Sequence, residues 1–181
     1  MANSALSTTA AVAEGSVGES HLAAGATLKL GTEQATTSGT SIDFTGIPAG
    51  TKQIVVSFVG VSLSGTDNLL IQLGTSSGIE TTGYSATGWS GAGGITHVTS
   101  TAGFIMRSAA ATVVQHGQAI LTLEDTSDNT WSAQMQVASP ATSSSGGGAG
   151  TKALSGTLDR VRITRSGTDT FDAGSVNIAY K

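Results

Sequence analysis

The chain contains no cysteine, only two prolines, and few aromatic (4%) or charged (11%) residues. Without thiols it can form neither disulfides nor thiolate metal sites. Packing or subunit contacts must supply the stability that disulfides give many extracellular domains. The net charge of −4 comes with no clustered basic face, which excludes a nucleic-acid footprint. No apolar run approaches the ~18 residues that a membrane-crossing helix needs. Met1-Ala2-Asn3-Ser4 lacks the basic region and apolar core of a signal peptide, so synthesis in a cytoplasm without Sec export is expected.

What is present is small and hydroxylated. The 181 residues include 25 glycines, and Ser and Thr occur throughout. Mean hydropathy is slightly positive at +0.12, so the chain can bury surface. The length suits one domain with a possible appendage. Low charge, many hydroxyls and many turn formers predict an all-β protein of short strands.

Residues 1–30 are low in complexity and read as an N-terminal arm, with Val17 and Leu22 its anchor candidates. The alternatives for this arm are a flexible tail and a segment ordered against partner subunits. Residues 31–181 read as the β domain. Candidate strands cover 28–37, 41–44, 52–63, 69–73, 80–86, 95–100, 112–124, 130–137, 158–165 and 175–180. Ser/Gly/Thr/Asp/Asn clusters separate several of them. Trp131, Met135 and Val137 alternate with Gln134 and Gln136, and Val176, Ile178 and Tyr180 with Ser175 and Asn177. Each pattern is that of a strand with one dry face. The architecture expected is an antiparallel β-sandwich, jelly-roll-like, behind a small-residue arm. Two stretches read as loops: 83–94, holding Tyr84, Trp89 and five glycines, and the Ser/Gly-rich 140–150.

The strand at 52–63 has a special pattern. Period-two alternation puts Ile54, Val56 and Phe58 on one face and Val55, Val59, Val61 and Leu63 on the other. Both faces are then apolar and need cover. A second sheet covers one. A loop, a further layer or another copy of the chain must cover the other, and the last of these makes Val55, Val59, Val61 and Leu63 the oligomer-interface candidates.

Chemical motifs are weak. Gly74-Thr75-Ser76-Ser77-Gly78 matches a nucleophile elbow in letters, but a strand-like segment follows where a helix is needed. Gly146 to Lys152 has phosphate-loop glycines with the Lys displaced and no helix after it. His21, His97 and His116 lack the spacing of a zinc pair. The turn at Asp125, Asp128 and Asn129 fits Asx chemistry better than a calcium loop. No enzyme activity, metal or cofactor is expected. Tyr84 and Trp89 are the receptor-binding candidates, because aromatic faces among hydroxyls suit sugar or protein surfaces. The competing role for Trp89 is burial in the core or a subunit interface. Arg160, Arg162 and Arg165 read as a basic sheet edge.

An ordered set of segments carries a resemblance. It comprises Ser41-Ile42-Asp43-Phe44-Thr45-Gly46-Ile47-Pro48-Ala49-Gly50-Thr51, Gly60-Val61-Ser62, Leu70-Ile71-Gln72-Leu73-Gly74, Thr82-Gly83-Tyr84, residues 156–164 and residues 169–180. Together, over roughly 31–181, they resemble the C-terminal β domains of tailed-bacteriophage fibres and related head or collar fibres. Residues 15–23 are similar to short linker repeats of fibre shafts. The resemblance implies a homotrimeric virion protein: a short fibre or spike, anchored to other virion proteins by its arm and able to contact a host-surface glycan or protein. The chain has almost no shaft, which leaves a capsid decoration protein as the alternative. A carbohydrate-binding adhesin module is the reading from another class. No nucleic acid or membrane insertion is implied.

Overall fold

The computed structural model describes residues 27–181 except Ala92 and Ala109. Val17 and Leu22, and with them most of the arm, lie outside the described residues. The domain is an antiparallel β-sandwich. Its fourteen described strands are β1 (Lys29–Leu30), β2 (Gln34–Ala35), β3 (Ser41–Thr45), β4 (Gln53–Leu63), β5 (Leu69–Thr75), β6 (Gly78–Ile79) and β7 (Tyr84–Gly91), then β8 (Thr96–Ser100), β9 (Phe104–Met106), β10 (Gln115–Asp125), β11 (Thr130–Ser139), β12 (Ser144–Ala153), β13 (Arg160–Arg165) and β14 (Phe171–Tyr180).

The larger sheet runs β1-β14-β4-β10-β11-β12-β7-β8, with β2 also on β14. The smaller runs β3-β13-β5-β6, with β9 also on β5. Between them lies one core that includes Ile54, Phe58, Ile71, Leu73, Phe104, Leu121, Trp131, Ile163 and Phe171. The alternating patterns of β11 and β14 turn Trp131, Met135, Val137, Val176 and Ile178 inward, as their sequence requires.

The doubly apolar reading of β4 is corrected by one residue. Gly60 has φ +69, and β4 holds one more residue there than either neighbour: Phe58 to Val61 on β4 faces Gly117 to Gln115 on β10. This is a β-bulge, and it shifts the side-chain alternation by one. Ile54, Val56, Phe58, Val61 and Leu63 therefore all point into the core. Val61 and Leu63 are 0% and 1% exposed, so they are core residues and not interface residues. Only Val55 and Val59 are left facing outward. Gly174, at φ +88 on β14, abuts the bulge, where a Cβ would overlap the Gly60 carbonyl.

Both segments read as loops are strands. The stretch 83–94 contains β7, and 140–150 contains most of β12 after a single 3-10 turn at Pro140–Thr142. Their glycines let the two layers approach to backbone thickness. A Cβ at Gly88 would overlap the Ile105 carbonyl, and one at Gly148 would sit 3.0 Å from the same oxygen. The β9 backbone thus lies directly on the larger sheet, where most sandwiches interpose side chains. Nor is β13 an edge: it pairs with β3 and β5 on its two sides. Arg162 forms a two-pronged pair with its cross-strand partner Asp43, with Nε–Oδ1 and Nη2–Oδ2 at 2.6 and 2.7 Å.

Candidate functional site

The outward face of the larger sheet is the most distinctive surface of the described residues. Strand register aligns its side chains in rows. One row is Leu30–Ala179–Val55–Ile120–Gln134–Ala149–Thr87–Thr99. The next is Asn177–Ser57–Gln118–Gln136–Gly147–Trp89–His97. A third is Lys181–Gln53–Thr122–Ser132–Thr151–Ser85. Apart from Lys181 at the β14 end, none of these positions is Asp, Glu, Lys or Arg. At about 4.8 Å per strand the longest row spans roughly 34 Å. The outward face of the smaller sheet, by contrast, carries the Arg162–Asp43 pair.

The face divides into two halves. The β1-β14-β4-β10 end holds the exposed apolar residues: Leu30 and Ile120, 75% and 38% exposed, share a row with Val55, and Val59, 58% exposed, lies beyond the Asn177–Ser57–Gln118 row. The β11-β12-β7-β8 end offers amides, hydroxyls, an imidazole and one indole. Trp89 is half-buried on this end. Its indole leans over Gly147, with Nε1 and Cε2 3.2 and 3.4 Å from where a Cβ would stand. Here the glycine is a requirement of packing as well as of backbone approach.

Tyr84 does not join Trp89. It is 3% exposed, on the inward face of β7, so its expected receptor contact is corrected. Its hydroxyl accepts the Leu73 N–H at 2.7 Å and donates to the Glu80 carbonyl at 3.0 Å, tying the two sheets together. Its ring meets Phe104 edge-on at 5.2 Å, and the Lys152 ammonium lies 5.4 Å from its centroid. Burial, opposed by the Leu73 hydrogen bond and reinforced by Glu80, holds its phenol proton far above the ordinary tyrosine range. Lys152 is itself buried and pairs with Glu80 at 2.6 Å, and Ser155 donates to Glu80 through N–H and O–H. Burial acts against the Glu80 carboxylate, but Lys152 and Ser155 outweigh it and leave its pKa below the usual 4.5. The glycine run before Lys152 is thus a sheet strand ending in an ion pair, with no phosphate-cradle geometry.

The remaining motifs resolve into structure. Gly74 to Gly78 runs from the end of β5 through the Ser76-Ser77 turn into β6, so a strand stands where the elbow needs a helix. Asp125 accepts the Ser127 N–H at 2.7 Å, Asp128 accepts the Thr130 N–H at 3.0 Å, and Asn129 sits at φ +55. The hydrogen bonds from Ser127 keep the Asp125 carboxyl below its ordinary pKa. These are turn contacts of the Asx kind. His97 and His116 lie exposed in β8 and β10. Among the described residues no three His, Asp or Glu side chains converge as metal ligands. No helix of the described residues is long and apolar enough to cross a membrane. A scan of protein-family models, a search of curated proteins and a search of solved structures each gave no match.

Proposed function

We propose that this chain is a structural protein of a tailed-phage virion, a short homotrimeric fibre or spike whose copies pack through the apolar half of the larger sheet. The observation that carries the reading is the uncharged apolar row Leu30–Ala179–Val55–Ile120, with Val59 farther along β4 on the same face. Exposed apolar residues scattered singly mean little, but a cluster marks an interaction surface. Charge depletion is the compositional mark of an interface centre. The threefold stoichiometry and the virion setting rest on the resemblance of 31–181 to phage fibre domains. Its N-terminal residues join it to other virion proteins in this reading, and a place on the capsid remains its variant form.

Light scattering at micromolar concentration tests the assembly. The wild type is expected at three times the chain mass, and Val59→Lys and Ile120→Lys at one, with unchanged circular dichroism. A wild-type monomer sinks the proposal. Electron microscopy of particles labelled through this chain tests the setting, and label absent from particles removes it.

A further inference from the structure

We infer that the polar end of the larger sheet binds an uncharged saccharide, one sugar unit seated in the hydroxyl-lined depression between β7 and β8 and the next lying on Trp89. This goes beyond assembly and uses the opposite end of the sheet. Beyond the Ala86–Ser100 pair the two strands continue with the Tyr84 N–H donating to the Thr101 carbonyl at 3.1 Å. Over them lies a depression of about 380 Å³, lined by Ser85, Thr87, Thr99 and Thr101 with Ala149 beside them. That volume is at the small end of the ~300–1,000 Å³ of ligand pockets, which suits a single sugar ring. Among the described residues the hydroxyls of those four side chains make no hydrogen bond within the chain, although each can both donate and accept.

Chemistry selects the ligand. Unpaired hydroxyls on a shallow surface match the alternating donors and acceptors of sugar hydroxyls. Trp89, two positions along β7 on the same outward side as Thr87, gives an indole for the apolar C–H face of a neighbouring ring. Its row partner His97 and, across Gly147, Gln136 extend the polar surface to either side. On β11, β12, β7 and β8 the three rows carry no Lys or Arg to attract a phosphate or carboxylate, and no Asp or Glu to hold a cation. An acidic glycan would lose its hydration with no cation to replace it.

The test uses the full chain on an array of neutral oligosaccharides (lactose, maltose, cellobiose and diacetylchitobiose) beside sialylated and phosphorylated glycans, followed by titration of the best binder. Wild type is expected to prefer a neutral glycan. Trp89→Ala and Ala149→Lys, which removes the platform or places a long charged side chain at the depression, are each expected to weaken it about tenfold or more. Val59→Lys should dissociate the assembly and keep the sugar contact of each chain, which separates this inference from the proposed assembly. Ala149 is exposed, so that variant keeps its fold even if Trp89→Ala does not. No neutral binding at millimolar glycan, equal binding by wild type and Ala149→Lys, or preference for acidic glycans overturns the inference.

Discussion

Asp67 and Asp169 cap each other. The Asp67 Oδ2 accepts the Asp169 N–H at 2.8 Å, and the Asp169 Oδ2 accepts the Asp67 N–H at 2.8 Å. Each sits in a Ser-Gly-Thr-Asp turn: Ser64 to Asp67 joins β4 to β5, and Ser166 to Asp169 joins β13 to β14. One turn leads the chain from the larger sheet to the smaller and the other leads it back. The symmetry extends outward. Ser64 Oγ accepts the Thr170 N–H at 3.1 Å, and Ser166 Oγ accepts the Asn68 N–H at 3.0 Å. The same four-residue turn, used twice, clasps the two crossings that hold the sandwich closed at that end.

Removing either carboxylate therefore breaks one cap on the facing turn. Asp67→Ala and Asp169→Ala are each expected to cost about 1.5 kcal/mol, the low end for hydrogen bonds to a charged acceptor, because the turns are only part-buried. The double variant should cost less than the sum, since both act on one clasp. Urea unfolding of the three variants checks this, and full additivity would show that the turns act separately.

The bulge at Gly60 makes a sharper demand. At φ +69 an L side chain is strained, so Gly60→Ala is expected to lower stability by about 1–2 kcal/mol. Deleting Gly60 should do far more, because the restored alternation would turn Val61 and Leu63 out of the core. Thermal unfolding separates the two: a modest fall in Tm for the substitution and no cooperative transition for the deletion.

Gly88 tests the contact between layers. A methyl there meets the Ile105 carbonyl, which belongs to backbone and cannot swing aside. Gly88→Ala is expected to cost about 3 kcal/mol, the upper part of the range for overpacking. Amide exchange should show the loss concentrated in β9. A Tm within a degree of wild type would mean that β9 stands off the sheet.

Glu80 predicts an acid limit. Its folded pKa lies below the ordinary 4.5, so its contribution is complete above that value and is lost as pH falls through the lower, folded one. Glu80→Gln should flatten the stability profile below about pH 4.5, relative to wild type. At neutral pH it leaves the Lys152 ammonium buried without its partner. A cost of about 2 kcal/mol is expected, less than the ~3–5 of a fully buried pair because Glu80 keeps 21% of its side-chain exposure. Denaturant midpoints between pH 3 and pH 7 would expose an unchanged profile.

Much of the fold was legible. The strands around Trp131–Val137, Val161–Ile163 and Val176–Tyr180 could be read because large apolar side chains alternate with polar ones, and period two is a property of the chain itself. β12 could not. Gly146, Gly147 and Gly148 have no side chains to show a period, and their glycines answer to neighbours far away in sequence: Ile105 on one side and Trp89 on the other. Tyr84 and Trp89 looked alike in the sequence. They differ by an odd number of positions on one strand, and which side of β7 is dry is settled only by where β9 and β5 lie.

The sequence by itself determined an all-β chain, because hydroxyls, turn formers and branched apolar residues without long helical periods leave no other way to bury surface. Only the tertiary structure decided which apolar residues are surplus to the core. A left-handed glycine in β4 moves Val61 and Leu63 inward and leaves Val55 and Val59 outside. Strand register then aligns Val55 with Leu30 and Ile120, and sets Trp89 beside Thr87 and Thr99, whose hydroxyls make no hydrogen bond among the described residues. Register joins residues more than a hundred positions apart, and local preference along the chain carries no information about it.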